Sequence, residues 1–230
     1  MGVSTKNDHV SAVLIGSFNP SIFHPSWLAL HELISTEASE AADLQVSHPD
    51  LSRFDANFMS FDIQKSRVLI RCESDKDGLV FDMVMSIFGN LLPHSPVWRI
   101  GINRTMDILC GTEEKRDALG RRMAPQDAWG NWGKDIASAK GTNHGGMQRL
   151  IMRQIPRHDG KEGHFQADLQ PLSSSPDAIR LDFNSDLIAG TPELVEGAQL
   201  ATQLIEECWQ ADLKKAKDIS DEIVEIIEGL

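Results

Sequence analysis

The chain is 230 residues long, enough for one large domain or two small ones, and 41% of it is hydrophobic, enough for a proper core. Its 34 acids outweigh 22 lysines and arginines, and a net charge of −12 argues against nucleic acid, acidic substrates and anionic membranes as partners. Cys72, Cys110 and Cys208 lack zinc or redox spacing, no basic-then-apolar leader follows Met1, and no apolar run approaches the roughly 20 residues of a spanning helix, so a soluble, cytoplasmic chain with reduced thiols is expected.

Residues 10–18 read as a strand, with Val13 and Ile15 among its apolar positions and Asn19-Pro20 closing it. His24-Pro25-Ser26 then opens a helix with Ser26 as N-cap, expected to end before Asp43. His48-Pro49 confines residues 44–54 to an edge strand or a loop, because proline removes a ladder donor. The stretch 58–104 organises the rest. Phe61 and Ile63, then Val68, Ile70 and Cys72, alternate with polar residues and predict a hairpin with one apolar face. Residues 79–92 are apolar nearly all round and predict a helix buried between layers or against another chain. A long strand over 97–110 follows, with Trp98, Ile100 and Ile102 in the core and Arg104 on the same side.

A charged helix is expected at 112–123 and a long loop at 124–146, the most mobile internal segment, since no period is sustained around Trp129, Trp132 and His144. Strands follow at 147–155, 163–170 and 178–184. Thr191 as N-cap and Pro192 at the first helical position predict a C-terminal helix of over thirty residues, roughly 50 Å at about 1.5 Å per residue. Asp221, Glu222, Glu225 and Glu228 crowd its negative end, yet Ile219, Ile223 and Ile226 carry the apolar stripe through them.

Chemistry is sparse in this pattern. Gly16-Ser17-Phe18-Asn19-Pro20 with His24 resembles the phosphate-binding start of the nucleotidyltransferase family. That start has a second histidine and a preceding glycine; here only His24 is present, with Phe23 before it, so the segment reads as a strand-to-turn junction. No two histidines share the spacing that puts imidazoles on one helix face, Cys110 continues an apolar face, and Trp129 and Trp132 read as loop anchors. Arg104 stands apart: a guanidinium on a core face requires a carboxylate partner or an anionic ligand.

Gly101-Ile102-Asn103-Arg104, the alternating pair before it, the Phe88-Gly89 helix, Leu119-Gly120, Met123-Ala124-Pro125, Trp129 and Gly146-Met147 together resemble a sporadically distributed bacterial family of unknown function. The resemblance implies a bacterial origin and no known activity. The expected architecture is a single α+β domain over 1–230 with a largely antiparallel sheet or sheets, a buried central helix and a long C-terminal helix. Its two candidate strand-strand-helix halves, 1–123 and 147–230, are joined by the loop 124–146. The expected function is a non-catalytic interaction or assembly subunit of a bacterial complex, meeting itself or a protein partner through helical surfaces, with Ile219, Ile223 and Ile226 at the interface. The alternative is a small-ligand-binding protein or enzyme with an anionic-ligand site near Arg104, contacted by Asn103 and Trp129 under the 124–146 loop. No catalytic residue, metal ligand or cofactor is expected, and neither nucleic acid nor membrane as partner.

Overall fold

Period-two alternation marks the two longest strands, and the fold sets them side by side. The computed structural model describes residues 2–138 and 145–230. In it, β1 (Ser4–Gly16) and β6 (Val97–Leu109), 13 residues each, pair antiparallel with Ala12 opposite Ile102. Outward from β1 lie β5 (Arg67–Glu73), β4 (Met59–Gln64), β3 (Leu51–Ala56) and β2 (Asp43–His48). Outward from β6 lie β9 (Ala178–Ile188), β8 (Gly163–Pro171) and β7 (Leu150–Gln154). The result is one nine-stranded antiparallel sheet, β2-β3-β4-β5-β1-β6-β9-β8-β7, in an α+β fold.

Chain order repeats about the central pair. After β1 come α1 (Pro25–Leu30) and α2 (Thr36–Glu40), the meander β2 to β5, and α3 (Asp77–Val84), which continues as a π-helix through Met85–Leu91. After β6 come α4 (Glu113–Met123) and α5 (Gly130–Ser138), the meander β7 to β9, and α6 (Gln199–Glu228). The two topological sets therefore divide after α3, so β6 goes with its own meander rather than with residues 1–123 as the sequence suggested. The segment 124–146 contains a 3-10 turn (Gln126–Trp129) and α5 rather than a structureless loop; its residues 139–144, His144 among them, lie outside the described residues, as does Met1.

Burial follows the sheet's alternation on the face crossed by α3 and α6. One apolar cluster joins Leu14, Phe61, Ile63, Ile70, Ile100 and Ile102 to Val80, Val84, Ile87 and Phe88 of the α3 segment and to Ile205 and Trp209 of α6. A second joins Met106, Ile108, Phe165, Leu181 and Phe183 to Leu119 of α4 and to Ala216, Ile223 and Ile227 of α6. Trp98, expected in the core, is only half-buried at the start of β6. The all-round apolar helix is thus covered by its own chain, and Ile219 and Ile226 pack with Ile223 against the second cluster. The stripe expected at an interface is largely used inside the monomer.

Several local expectations hold and others shift for identifiable reasons. The charged helix expected over 112–123 forms as α4, with Thr112 as its cap accepting from the Lys115 N–H at 3.3 Å. His24, not Ser26, caps α1: its Nδ1 accepts from the Ser26 N–H at 3.2 Å. Asn19 caps the 3-10 turn after β1, and a Cβ at Gly16 would collide with the Pro96 carbonyl, so the Gly16 to His24 segment is a strand-to-turn junction. α6 begins at Gln199, not Thr191, because Gly197 and Ala198 give their backbone bonds to the approach to β6. Val97 N–H donates to the Gly197 carbonyl at 3.3 Å and Ala198 N–H to the Pro93 carbonyl at 2.9 Å. At 30 residues α6 spans about 45 Å. Its acidic C-terminus is relieved by the Lys115 ammonium, which donates to the carbonyls of Ile227 at 3.1 Å and Glu228 at 3.3 Å.

The turn between β3 and β4 carries strain without evident return to the fold. Asn57 and Phe58 both adopt positive φ, 49° and 67°, the type I′ geometry that favours Asn-Gly, and the Phe58 ring is 73% exposed. A bulky residue in this conformation costs about 1–2 kcal/mol, set against about 0.5 kcal/mol for the exposed cation–π contact with Lys76. Phe58→Gly is therefore expected to raise stability by about 0.5–1 kcal/mol. In urea unfolding the midpoint should rise with an unchanged slope; a lower midpoint contradicts the strain assignment.

Candidate functional site

The three residues expected to meet a ligand are dispersed. Asn103 and Arg104 are adjacent on β6, so period two sends them to opposite faces of the sheet. Arg104 lies on the helix side, where Nε and Nη2 donate to the two Asp8 oxygens at 2.9 and 2.6 Å. Asp8 reaches it because β1 bulges between Lys6 and His9, with Asn7 at φ 49°. The guanidinium on a core face thus takes the carboxylate route. A cavity of about 700 Å³ does lie under the 124–146 segment, walled by Gln126, Ile136 and Ala137 of that segment together with α4, residues 145–148 and the β8–β9 turn, but Arg104 is not among its walls. Trp129 stacks edge-on with Trp132 at 5.3 Å, and both rings are exposed.

Arg104 belongs to a polar seam between the two apolar clusters. Along β6 it separates Ile102 from Met106, along β9 Ser185 separates Phe183 from Leu187, and along α6 Asp212 separates Trp209 from Ala216. The densest part is a knot around Arg157, whose side chain is fully buried. Its Nη2 donates to both Asp212 oxygens at 3.0 and 3.1 Å and to Asp159 at 2.7 Å, and its Nη1 donates to Ser185 Oγ at 2.5 Å. Ser185 in turn donates to Asp212. His158, Asp159 and Asp212 have ligand atoms within 4.8 Å of one another, a metal-like grouping. The guanidinium already holds both carboxylates, however, and the Lys215 ammonium stands 3.3 Å from His158 Nδ1. Positive charge is supplied by the chain, so the group works as an ion-pair knot fastening α6 to the sheet. The sequence signal for it was a carboxylate on the buried stripe of an amphipathic helix.

On the opposite face, strand register lines up an amide row through Asn103, Asn184 and Gln166. Beside it, Gly101 leaves a shallow depression of about 410 Å³ floored by Val13 and Ile15. Asp186 borders it, accepting from Arg99 Nε at 2.5 Å and Nη2 at 2.9 Å, with His164 Nδ1 at 3.2 Å. Burial lowers the His164 pKa, helped by Arg153 and Arg99 and opposed by Asp186, so the imidazole is neutral at neutral pH. The three cysteines are chemically quiet, since burial pushes each thiol up to about 11.

The two edges of the sheet differ. β2 is broken by a register shift between Leu44 and Val46, carries Asp43, and ends before Pro49, devices that discourage pairing. β7 pairs in unbroken register with β8, and no strand among the described residues pairs with its outer side. Ile151, Met152 and, just beyond it, Ile155 are 46%, 65% and 68% exposed. Its one arginine, Arg153, and Arg149 just before it lean inward onto β8, Arg149 to Asp168 and Arg153 to Gln166, instead of guarding the edge.

Models of known protein families give no match to the chain. The curated proteins give none either. No helix among the described residues is long and apolar enough to cross a membrane.

The knot sets an acid-dependent stability. For Asp159, burial acts to raise the pKa, but hydrogen bonds from Arg157 and the Lys161 N–H prevail and bring it to about 2. A depressed carboxylate contributes stability that is complete above its unfolded pKa of about 4 and is lost as pH falls to the folded value. Thermal unfolding of wild type and Asp159→Asn should therefore differ at neutral pH and converge between about pH 4 and pH 2. A constant difference across that window would contradict the assignment. Arg157→Met, which leaves Asp212 buried and uncompensated, is expected to cost about 3–5 kcal/mol at neutral pH.

Proposed function

We propose that the chain is a non-catalytic interaction subunit that docks through the outer edge of its sheet, at β7, and not through its helices. The observation that carries this reading is the unguarded strand itself: a regular edge with three exposed apolar side chains and with both arginines turned inward. Such an edge offers main-chain hydrogen bonds for affinity and alternate side chains for specificity, the ordinary terms of strand addition. Helical surfaces lend less support, because α3 and the Ile219, Ile223 and Ile226 stripe are occupied by the chain's own clusters. The quiet thiols and the pairing of Arg104 with Asp8 fit a scaffold more readily than a reaction centre.

A second reading, small-ligand binding, is supported by the Gly101 depression, where the Asn103 and Asn184 amides flank a seat without a side chain. It moves the expected ligand site from Arg104 to the opposite face. Gly101→Val would fill that seat.

The test of the main reading uses a tagged chain in extracts of its source cells, fractionated by size. The chain is expected well above its 25.5 kDa mass, and Met152→Lys with Ile155→Lys is expected to return it to the monomer position. Wild type eluting as a monomer contradicts the reading, as does a complex that the edge variant leaves intact.

A further inference from the structure

Resting on the reading of β7 as a docking edge, we infer that its occupant is a second copy of this chain, added antiparallel about a two-fold axis at Met152, so that two nine-stranded sheets become one. The first support is electrostatic. Two molecules that each carry a net charge of −12 repel over most of their surface, and the sequence around β7 carries no acid of its own. The nearest acids along the chain are Asp135 before it and Asp159 after it, and the Asp168 carboxylate beneath it is neutralised by Arg149.

The second support is self-complementarity, and it selects the register. Residues that face one another across an antiparallel pair lie on the same side of the sheet, and like charges directly opposite destabilise. A two-fold axis at Ile151 would set Arg149 against the partner's Arg153, and one at Arg153 would set that arginine against its own copy. An axis at Met152 pairs Met152 with itself, Ile151 with Arg153, Leu150 with Gln154 and Arg149 with Ile155. In that register no two charges face each other, each exposed isoleucine stands opposite an arginine, and the whole of β7 is paired. The β2 edge is interrupted by the register shift between Leu44 and Val46, which breaks the regular backbone such an addition needs.

The test uses purified full-length chain. Light scattering from about 1 to 100 µM is expected to show twice the chain mass at the upper end, a typical range for a modest interface. Met152→Lys with Ile155→Lys, both at exposed positions, should remain monomeric with an unchanged melting temperature. Because the native thiols are buried, Met152→Cys should close a disulfide across the two-fold under mild oxidation. Ile151→Cys places its thiols on a diagonal about 7–8 Å apart and should not. A monomer at every concentration overturns the inference, and so does a dimer that neither the lysine variant disrupts nor Met152→Cys captures. A purified monomer that still enters a large complex in extracts would remove the second copy as occupant and leave the docking reading standing.

Discussion

The pairing of β1 with β6 is the constraint on which the rest of the structure depends. Both strands run 13 residues, and their register sets Ala12, Leu14, Ile100 and Ile102 on one face while sending Val13, Gly101 and Asn103 to the other. Slipping that register by one residue would exchange the two sets and expose the core. Each strand then grows its own meander outward and folds its own long helix back over the same face. This arrangement leaves a polar face opposite the helices and two outer edges, and the two edges are unlike.

The core on the helix side is interrupted rather than continuous. Arg104 with Asp8, and Arg157 with Asp212, Asp159 and Ser185, form a seam through β6, β9 and α6. Buried pairs of this kind contribute little net stability compared with apolar packing, but removing one partner is expensive because the other charge is stranded. Their value here is positional: α6 is a long amphipathic helix whose stripe alone would tolerate sliding by a turn, and Asp212 on Arg157 fixes where along the sheet it sits.

What was legible in the sequence was local. The β4–β5 hairpin came from alternation, the α3 segment from its all-round apolarity, and α4 from the charged run after Thr112. Arg104 was recognisable as a residue needing a carboxylate, but Asp8 lies 96 positions away and is aimed by a bulge at Asn7. The start of α6 was misplaced at Thr191 because Thr191-Pro192-Glu193 reads as a capping signal, yet Gly197 and Ala198 are bonded to the backbone approaching β6. The expected ligand trio failed as a group for the plainest reason: neighbours on a strand point in opposite directions. The contrast between a guarded β2 and an unguarded β7 required the strand order, which no periodicity contains.

That contrast makes the outer edge of β7 the feature by which the account stands. β7 is a regular strand with exposed isoleucine and methionine and inward-turned arginines, the features on which the proposed docking of another strand rests. Residue-resolved amide hydrogen exchange at several protein concentrations measures this directly. The account predicts that outward-facing amides of residues 149–155 become protected as concentration rises, while those on the free edge of β2, residues 43–48, exchange at the same rate throughout. Concentration-independent exchange at both edges, or protection gained at β2 instead, would contradict it.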